Sequence, residues 1–263
     1  MNAVPLDRAL RASWYDLPAE RVADYLAWAH GSYLPSLLKR EGCLWAAHYV
    51  AVEKKQRPHW PRESTLKKCS DPSVPAGQQY IMIVGAADAN VFGEPDWRKL
   101  DAALPETDRQ MLALRQGEYT NIMVEAARVE GPAAKDYRDG MNPPPCIQFG
   151  NFNIDWRDEP DVLAWYANWR MPAVRDLPGV VRTPQSRVSS PRPGCSILMT
   201  SAPKSASTML QDGPKMVWPN SSTRMSESGS DDIFIYSRLG LAPERRAVRG
   251  RYNETPRPAG SGL

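Results

Sequence analysis

A repeated spacing of tryptophan, proline and glycine is the feature that most limits how this chain can fold. The residues Trp28, Pro35 and Gly42 recur 137 positions later, without a gap, as Trp165, Pro172 and Gly179. Leu-Ala precedes the tryptophan both times, and an Asp-x-Pro helix start lies upstream of each copy. Fixed spacing over several anchors indicates a duplicated unit. The alternative is a pair of unrelated amphipathic helices with ordinary stops.

The first copy predicts a complete unit over residues 7–130. Segments rich in β-forming residues predict strands at 10–15, 44–52, 80–84 and 119–129. Helical periodicity follows Asp16 and returns over 95–116, where Pro105 interrupts it. Residues 53–77 read as a long polar loop. The predicted order is therefore β-α-β-β-α-β.

The second copy predicts only the start of such a unit. Residues 131–144 have the composition of a linker, and 145–183 contain a strand at 146–154 and the repeated helix. From residue 184 to 263 the chain is rich in Ser, Pro and Gly, and only 195–199 and 233–236 resemble strands. We therefore predict an incomplete second unit and a poorly ordered tail. Two origins stay open for this tail: natural disorder or translation out of frame.

Charge and cysteine content narrow the class of protein. The formal net charge is +3, with basic and acidic residues interspersed, so nothing indicates a nucleic-acid partner. No apolar run is long enough for a membrane span, and no membrane partner is expected. The four cysteines lack the close spacing of metal or redox sites, which favours reduced thiols in a cytoplasmic protein.

The segment WYDLPAERVADYLAWAHGSYLPSLLKREGCLWAAHY resembles the opening of EthD-like members of the dimeric α+β barrel superfamily, and LAWYANWRMPAVRDLPGVVR is similar. The resemblance implies an α+β fold in which tandem ferredoxin-like units supply the two antiparallel sheets of one barrel. It also implies small-molecule enzymes that need no cofactor. Relatives often carry a histidine before the Leu-Pro pair, whereas this chain has Tyr33 and, in the second copy, Arg170.

Three residues are candidates for catalysis. His48 shares a strand face with Ala46 and Val50, and a titratable group inside an apolar barrel could act as a general base. Tyr33 and Arg170 occupy equivalent positions and could line opposite ends of the barrel, one as a phenol and the other as a cation for a carboxylate or enolate. The alternatives are a hydrogen-bonded structural histidine, an aromatic core residue and a surface ion pair.

Three further residues are candidates for substrate binding. His30 lies near a helix end, where the helix dipole alone would favour a cation. Asn151 and Asn153 alternate along a predicted strand and would present polar groups on one face, although a solvated strand end explains them equally. The three histidines are too irregularly spaced for a metal triad, so no metal site is predicted.

These observations favour a cofactor-independent lyase, isomerase or monooxygenase that acts on a small apolar or aromatic metabolite in a barrel pocket. The alternative is a non-catalytic protein that binds small molecules or serves an accessory role. If the second sheet is incomplete, exposed strand edges would favour a homodimer.

Overall fold

Eight strands form a closed antiparallel barrel, and helices pack against it, so the chain has the predicted α+β class. The computed structural model describes residues 7–51, 77–93, 95–137, 143–153, 157, 159–188, 195–202 and 233–241. The strands are β1 (Ala9–Asp16), β2 (Cys43–Ala51), β3 (Tyr80–Ala86), β4 (Gln116–Glu130), β5 (Cys146–Asn153), β6 (Arg182–Val188), β7 (Cys195–Ala202) and β8 (Ile233–Leu241).

The strand order is the same in the two halves of the chain. Going round the barrel, the strands follow the sequence β1-β3-β2-β8-β5-β7-β6-β4, and β4 returns to β1. In the first half β1 lies between β3 and β4, with β2 beyond β3. In the second half β5 lies between β7 and β8, with β6 beyond β7. The halves join where β2 pairs with β8 and where β4 pairs with β6.

The helix that follows the first strand is also built alike in the two halves. In the first half α1 (Val22–Trp28) continues through a wide π turn (Ala29–Tyr33) into α2 (Leu34–Leu37). In the second half α5 (Glu159–Trp165), a π turn (Tyr166–Arg170) and α6 (Met171–Arg175) each begin 137 residues later.

The repeated prolines follow the π turns, and the repeated glycines follow the helix ends. Pro35 and Pro172 lie at the start of α2 and α6, directly after the π turns, where the regular hydrogen-bond ladder is already interrupted. Gly42 and Gly179 follow the two helices with φ of 82° and 80°, a conformation that favours glycine. The repeated pattern therefore reports how each helix is built and stopped.

Two further helices complete the first half. α3 (Trp97–Ala102) and α4 (Glu106–Leu112) fill the predicted helical region and are separated at Pro105, as its sequence indicates. The Asp96 side chain caps α3 by accepting from the amide of Lys99 at 3.0 Å. The predicted loop at 53–77 lies outside the described residues except for Gly77.

Strand alternation sorts the core into two layers. Along β1, Leu10, Ala12 and Trp14 point into the barrel, where they join an apolar cluster that includes Phe149 of β5 on the far side. Ala9 and Tyr15 point outward and pack with the helices. The barrel interior is thus filled with apolar side chains, whereas the layer between helices and sheet combines apolar side chains with buried polar ones such as His48 and Arg11.

The segment after Thr183 corrects the expectation of an incomplete second unit. It supplies most of β6 and all of β7 and β8, and these strands close the barrel. The two β-like segments of the tail fall within β7 and β8. Composition underestimates them because a strand paired on both sides satisfies its backbone polar groups whatever its side chains are. The described residues do not include 189–194, 203–232 and 242–263. The hypothesis that the tail is translated out of frame stays a prediction.

The predicted linker at 131–144 is only partly irregular, because Pro132–Tyr137 forms a 3₁₀ turn. Among the described helices, none has the length and apolar character needed to cross a membrane.

Candidate active site

His48 lies on β2, but its side chain points out of the barrel. It shares a face with Ala46, as predicted, and that face packs against α1 and the π turn; Trp45, Ala47 and Tyr49 face the barrel interior. The expectation of a titratable group inside the barrel is therefore corrected. The alternation along β2 is as predicted, but alternation cannot tell which face of a sheet the helices will cover.

A chain of hydrogen bonds passes through His48 in this layer. Its Nε2 atom is 2.8 Å from the hydroxyl of Tyr15, and its Nδ1 atom is 3.1 Å from Nε2 of His30. The hydroxyl of Tyr25 donates to that of Tyr15 at 3.1 Å, and Nε of Arg115 donates to Tyr25 at 2.7 Å. His48, Tyr15 and Tyr25 are fully buried, whereas His30 is partly exposed.

The direction of this chain follows from its donors. Arginine can only donate, so the Tyr25 oxygen accepts from Arg115 and the Tyr25 proton goes to Tyr15. The assignment that continues this direction points the proton of Tyr15 at a bare Nε2 of His48. In that assignment His48 carries its proton on Nδ1 and donates it to Nε2 of His30. His30 is left with its own proton on Nδ1, at the partly exposed end of the chain.

Burial disfavours the charged form of both histidines. It lowers the pKa of His48 well below its ordinary value, and positive charge on Arg115, or on His30 when it is protonated, acts in the same direction. Burial also lowers the pKa of His30. The pKa of Tyr15 is raised well above its ordinary value, chiefly by burial. A neutral imidazole and a protonated phenol are the states that the hydrogen-bond directions require, so the pKa shifts and the hydrogen bonds agree.

Arg115 holds the inner end of the chain. It lies just before β4, and its guanidinium carbon is 4.5 Å from the ring centre of Tyr15. It forms an ion pair with Glu118 at 2.7 Å, and its side chain is almost wholly buried. The buried cation is thus compensated by a carboxylate and by aromatic faces.

A second polar cluster lies in the same layer, around Trp97 at the start of α3. The hydroxyl of Tyr33 donates to Asp101 at 3.0 Å, and Arg11 of β1 is 4.0 Å from the same carboxylate. The guanidinium carbons of Arg11 and Arg40 lie 4.5 and 5.4 Å from the ring centre of Trp97. Burial raises the pKa of both Tyr33 and Asp101.

The structure brings three of the six predicted site residues into one layer. His30, His48 and Tyr33 lie between the sheet and the first helix, and the guanidinium carbon of Arg115 is 5.5 Å from the ring centre of Tyr33. The Tyr33 side chain therefore lies between the helices and the sheet, and not at an end of the barrel as predicted.

The other predicted residues lie in the second half. Arg170 is the last residue of the second π turn. Burial raises the pKa of Tyr166 to about 12, and the charge of Arg170 acts in the opposite direction. Asn151 and Asn153 lie on β5 opposite Ile197 and Cys195 of β7. Their roles stay predictions. No group of histidine, cysteine and carboxylate side chains within the described ranges is arranged to hold a metal ion.

Sequence reasoning missed three members of the chain: Tyr15, Tyr25 and Arg115. Tyr25 belongs to the predicted buried helical stripe. Tyr15 shares one face of β1 with Arg11 and Ser13, and this spacing in the sequence indicates a polar face. Arg115 gives no local signal, because it meets Tyr25 only through the fold.

The second half carries different residues at the equivalent places. Counting 137 positions on, Gln185 replaces His48, Thr183 replaces Ala46 and Gln148 replaces Arg11. All three are buried. The titratable chain therefore belongs to the first half.

Comparison with known proteins shows the fold. No protein-family model and no curated protein matches the sequence. A solved structure from Fusobacterium nucleatum, named provisionally as a monooxygenase, is 9% identical, with 92% of this chain and 95% of that chain covered and a TM-score of 0.50. An anthrone oxidase-like protein is 10% identical, with 89% and 91% covered and a TM-score of 0.54. A provisionally named monooxygenase from Lactobacillus acidophilus is 9% identical, with 89% and 95% covered and a TM-score of 0.47.

Proposed function

We propose that this protein is a cofactor-independent enzyme of the oxygenase type that acts on a small apolar or aromatic metabolite. The observation that carries the proposal is the directed hydrogen-bond chain from buried Arg115 to partly exposed His30. The names of two structures that share the fold, a monooxygenase and an anthrone oxidase-like protein, support the oxygenase class. We also infer that the halves arose by duplication of an EthD-like unit.

The chain suits proton transfer at its outer end. With its proton on Nδ1, His30 offers an N–H donor to a substrate oxygen. If His30 gives up this proton, it regains one at Nε2 from His48, His48 regains one from Tyr15 and Tyr15 one from Tyr25, which leaves the Tyr25 oxygen negative beside Arg115. In this shifted state Nδ1 of His30 is bare and takes a proton from the substrate, and the same steps in reverse then restore the resting chain. A group that serves both ways near neutral pH is what general acid–base catalysis needs.

Oxygenation without a cofactor begins with such a proton transfer. Removal of a proton from an activated C–H or O–H group leaves the electron pair on the substrate, and that electron-rich carbon then reduces molecular oxygen. The protein supplies the proton acceptor and a donor for the oxyanion that develops. Aromatic side chains next to the chain, such as Trp28 stacked on Tyr33 with ring centres 4.9 Å apart, favour an aromatic substrate.

The decisive variant is His48→Gln. It places at position 48 the residue type that the second half has at the equivalent position 185. Glutamine can still hydrogen-bond Tyr15 but cannot relay a proton. We expect oxygen uptake with anthrone as the probe substrate to fall by about 100-fold, while the KM for anthrone changes little. Trp169→Phe, at an exposed ring outside the layer, serves as the matched control and keeps its activity.

Two results would count against this function. Full oxygen uptake by His48→Gln would remove the chain from the mechanism. Tight binding of anthrone and related phenols by the wild-type protein, without oxygen uptake, would favour the alternative of a non-catalytic binding protein.

A further inference from the structure

Two guanidinium groups meet at the Trp97 ring, and few acceptors lie beside them among the described residues. Arg11 and Arg40 both lie close to the ring. The Asp101 carboxylate is 4.0 Å from Arg11 and also accepts from Tyr33, while Glu118 acts on Arg11 from farther away. The carboxylate next to Arg11 is therefore shared with a second donor.

Two buried donors in this cluster have no hydrogen-bond partner among the described residues. They are the indole nitrogen Nε1 of Trp97 and the nitrogen NH1 of Arg40. Trp97 is 95% buried, since only 5% of its surface is exposed. A buried donor without an acceptor is destabilising, and native structures keep few of them. These two donors at a cationic site therefore mark a position, within the described part of the chain, where an added acceptor would be stabilised.

We propose that Arg11, Arg40 and Trp97 bind the carboxylate of a small organic acid. A planar carboxylate matches the guanidinium fork of arginine and can accept a further bond from an indole N–H. It would also balance positive charge on the two guanidinium groups. Because both orphan nitrogens are covered by the surrounding protein, the carboxylate reaches them only when neighbouring groups move.

This inference rests on the proposed function in one respect, namely that the acid is the substrate of the His30–His48 site. Tyr33 connects the two places: it bonds Asp101 of the cluster, and its ring lies beside Arg115 of the chain. An aromatic acid bound with its carboxylate at Trp97 would extend its ring toward the proton-transferring end of the layer. The substrate class then includes aromatic carboxylic acids as well as neutral aromatics such as the anthrone probe.

Binding can be tested without turnover, so its failure is separate from failure of the proposed function. Benzoate is the probe, and benzamide, which has the same shape without the charge, is its control. Calorimetry on the full chain should give a dissociation constant for benzoate of about 1 mM or tighter, and binding of benzamide at least about tenfold weaker. The indole N–H signals of the tryptophans report the contact directly, because the Trp97 proton should shift on adding benzoate.

Two variants locate the site. Trp97→Phe keeps an aromatic ring but removes the N–H together with part of the indole, and Arg40→Gln removes a partly exposed cation. Each should weaken benzoate binding about tenfold. Trp169→Phe, at an exposed tryptophan, should leave it unchanged. Trp97→Phe also assigns the indole signal by its disappearance.

The proposal fails if benzoate does not bind to the wild-type chain, or if benzamide binds as well as benzoate. It also fails if both variants bind benzoate with wild-type affinity. In any of these cases oxygen uptake with anthrone could still be intact, so the oxygenase function would stand on its own test.

Discussion

The substitution Tyr15→Phe probes the hydrogen-bond chain most directly. It removes one oxygen atom and leaves a ring of the same size, but two buried groups lose their partner: the hydroxyl proton of Tyr25 and the Nε2 atom of His48. Neither side chain has exposed surface through which water could replace the bond. At about 1–3 kcal/mol for each of the two buried unsatisfied groups, the free energy of unfolding should fall by about 2–6 kcal/mol.

Chemical denaturation measures this loss, and the melting temperature should fall by about 4–24 °C in parallel. The matched control is Tyr80→Phe, which removes the hydroxyl from a buried ring that stacks on Tyr15 and makes no side-chain hydrogen bond among the described residues. That variant should lose no more than about 1 kcal/mol, because no hydrogen bond is broken. The two substitutions thus delete one polar atom each and should differ clearly in effect.

Nitrogen NMR of the histidines tests the direction of the chain. In the wild type both His48 and His30 should carry the proton on Nδ1 alone, whereas Tyr15→Phe should leave His48 free to populate the other tautomer. A wild-type His48 protonated on Nε2 would refute the direction of donation from Arg115 toward His30. A Tyr15→Phe protein as stable as the wild type would refute the energetic argument.

Three further predictions concern stability. The lowered pKa of His48 means that the unfolded chain binds a proton that the folded chain does not, so stability should fall as the pH drops below about 6.5, by up to about 1.4 kcal/mol per pH unit. Asp7→Asn should cost about 3 kcal/mol in denaturation experiments, because it weakens a buried ion pair with Arg128, 2.8 Å away. Gly85→Ala should lower the melting temperature, because its Cβ would lie 2.3 Å from the Trp45 ring and cost about 1–3 kcal/mol.

Each of these predictions has its own control. His48→Gln should flatten the pH dependence between about 5 and 6.5, and an unchanged slope would assign it to other groups. Arg8→Gln is the control for Asp7→Asn. It removes a more exposed cation from the same group of ion pairs and should cost less than about 1 kcal/mol. Gly31→Ala adds a methyl group where nothing lies within 4 Å, so any loss there as large as at Gly85 would contradict the packing argument.

Much of the fold was predictable because its signals are local. Hydrophobic alternation located the strands of the first half, and the Asp-x-Pro starts and the positive-φ glycines located the helices. The tail differs from its prediction because its strands lack apolar alternation. It also contains a residue that normally argues against a strand: Pro184 lies within β6 opposite Arg128 of β4, and no pairing with β7 is formed at its position.

The site was predictable only in part. His48, His30 and Tyr33 were identified as residue types capable of chemistry. Their partners were not, since Tyr25 and Arg115 are 90 residues apart and meet only when α1 packs over the sheet. Which face of β2 is covered by helices also depends on the topology of the whole sheet. Local patterns carry neither kind of information.

The π turn in the first helix has a consequence for how this chain can change in evolution. A π turn has i→i+5 hydrogen bonds where an α-helix has i→i+4, so it takes up one extra residue without turning the flanking faces relative to each other. Loss of one residue from Ala29–Tyr33 should therefore restore regular winding and leave Tyr25 facing Arg115. Loss of a residue from α1 itself would instead turn everything before it by about 100°. The π turn is thus the place where this helix can change its length without breaking the connection between two ends of one site.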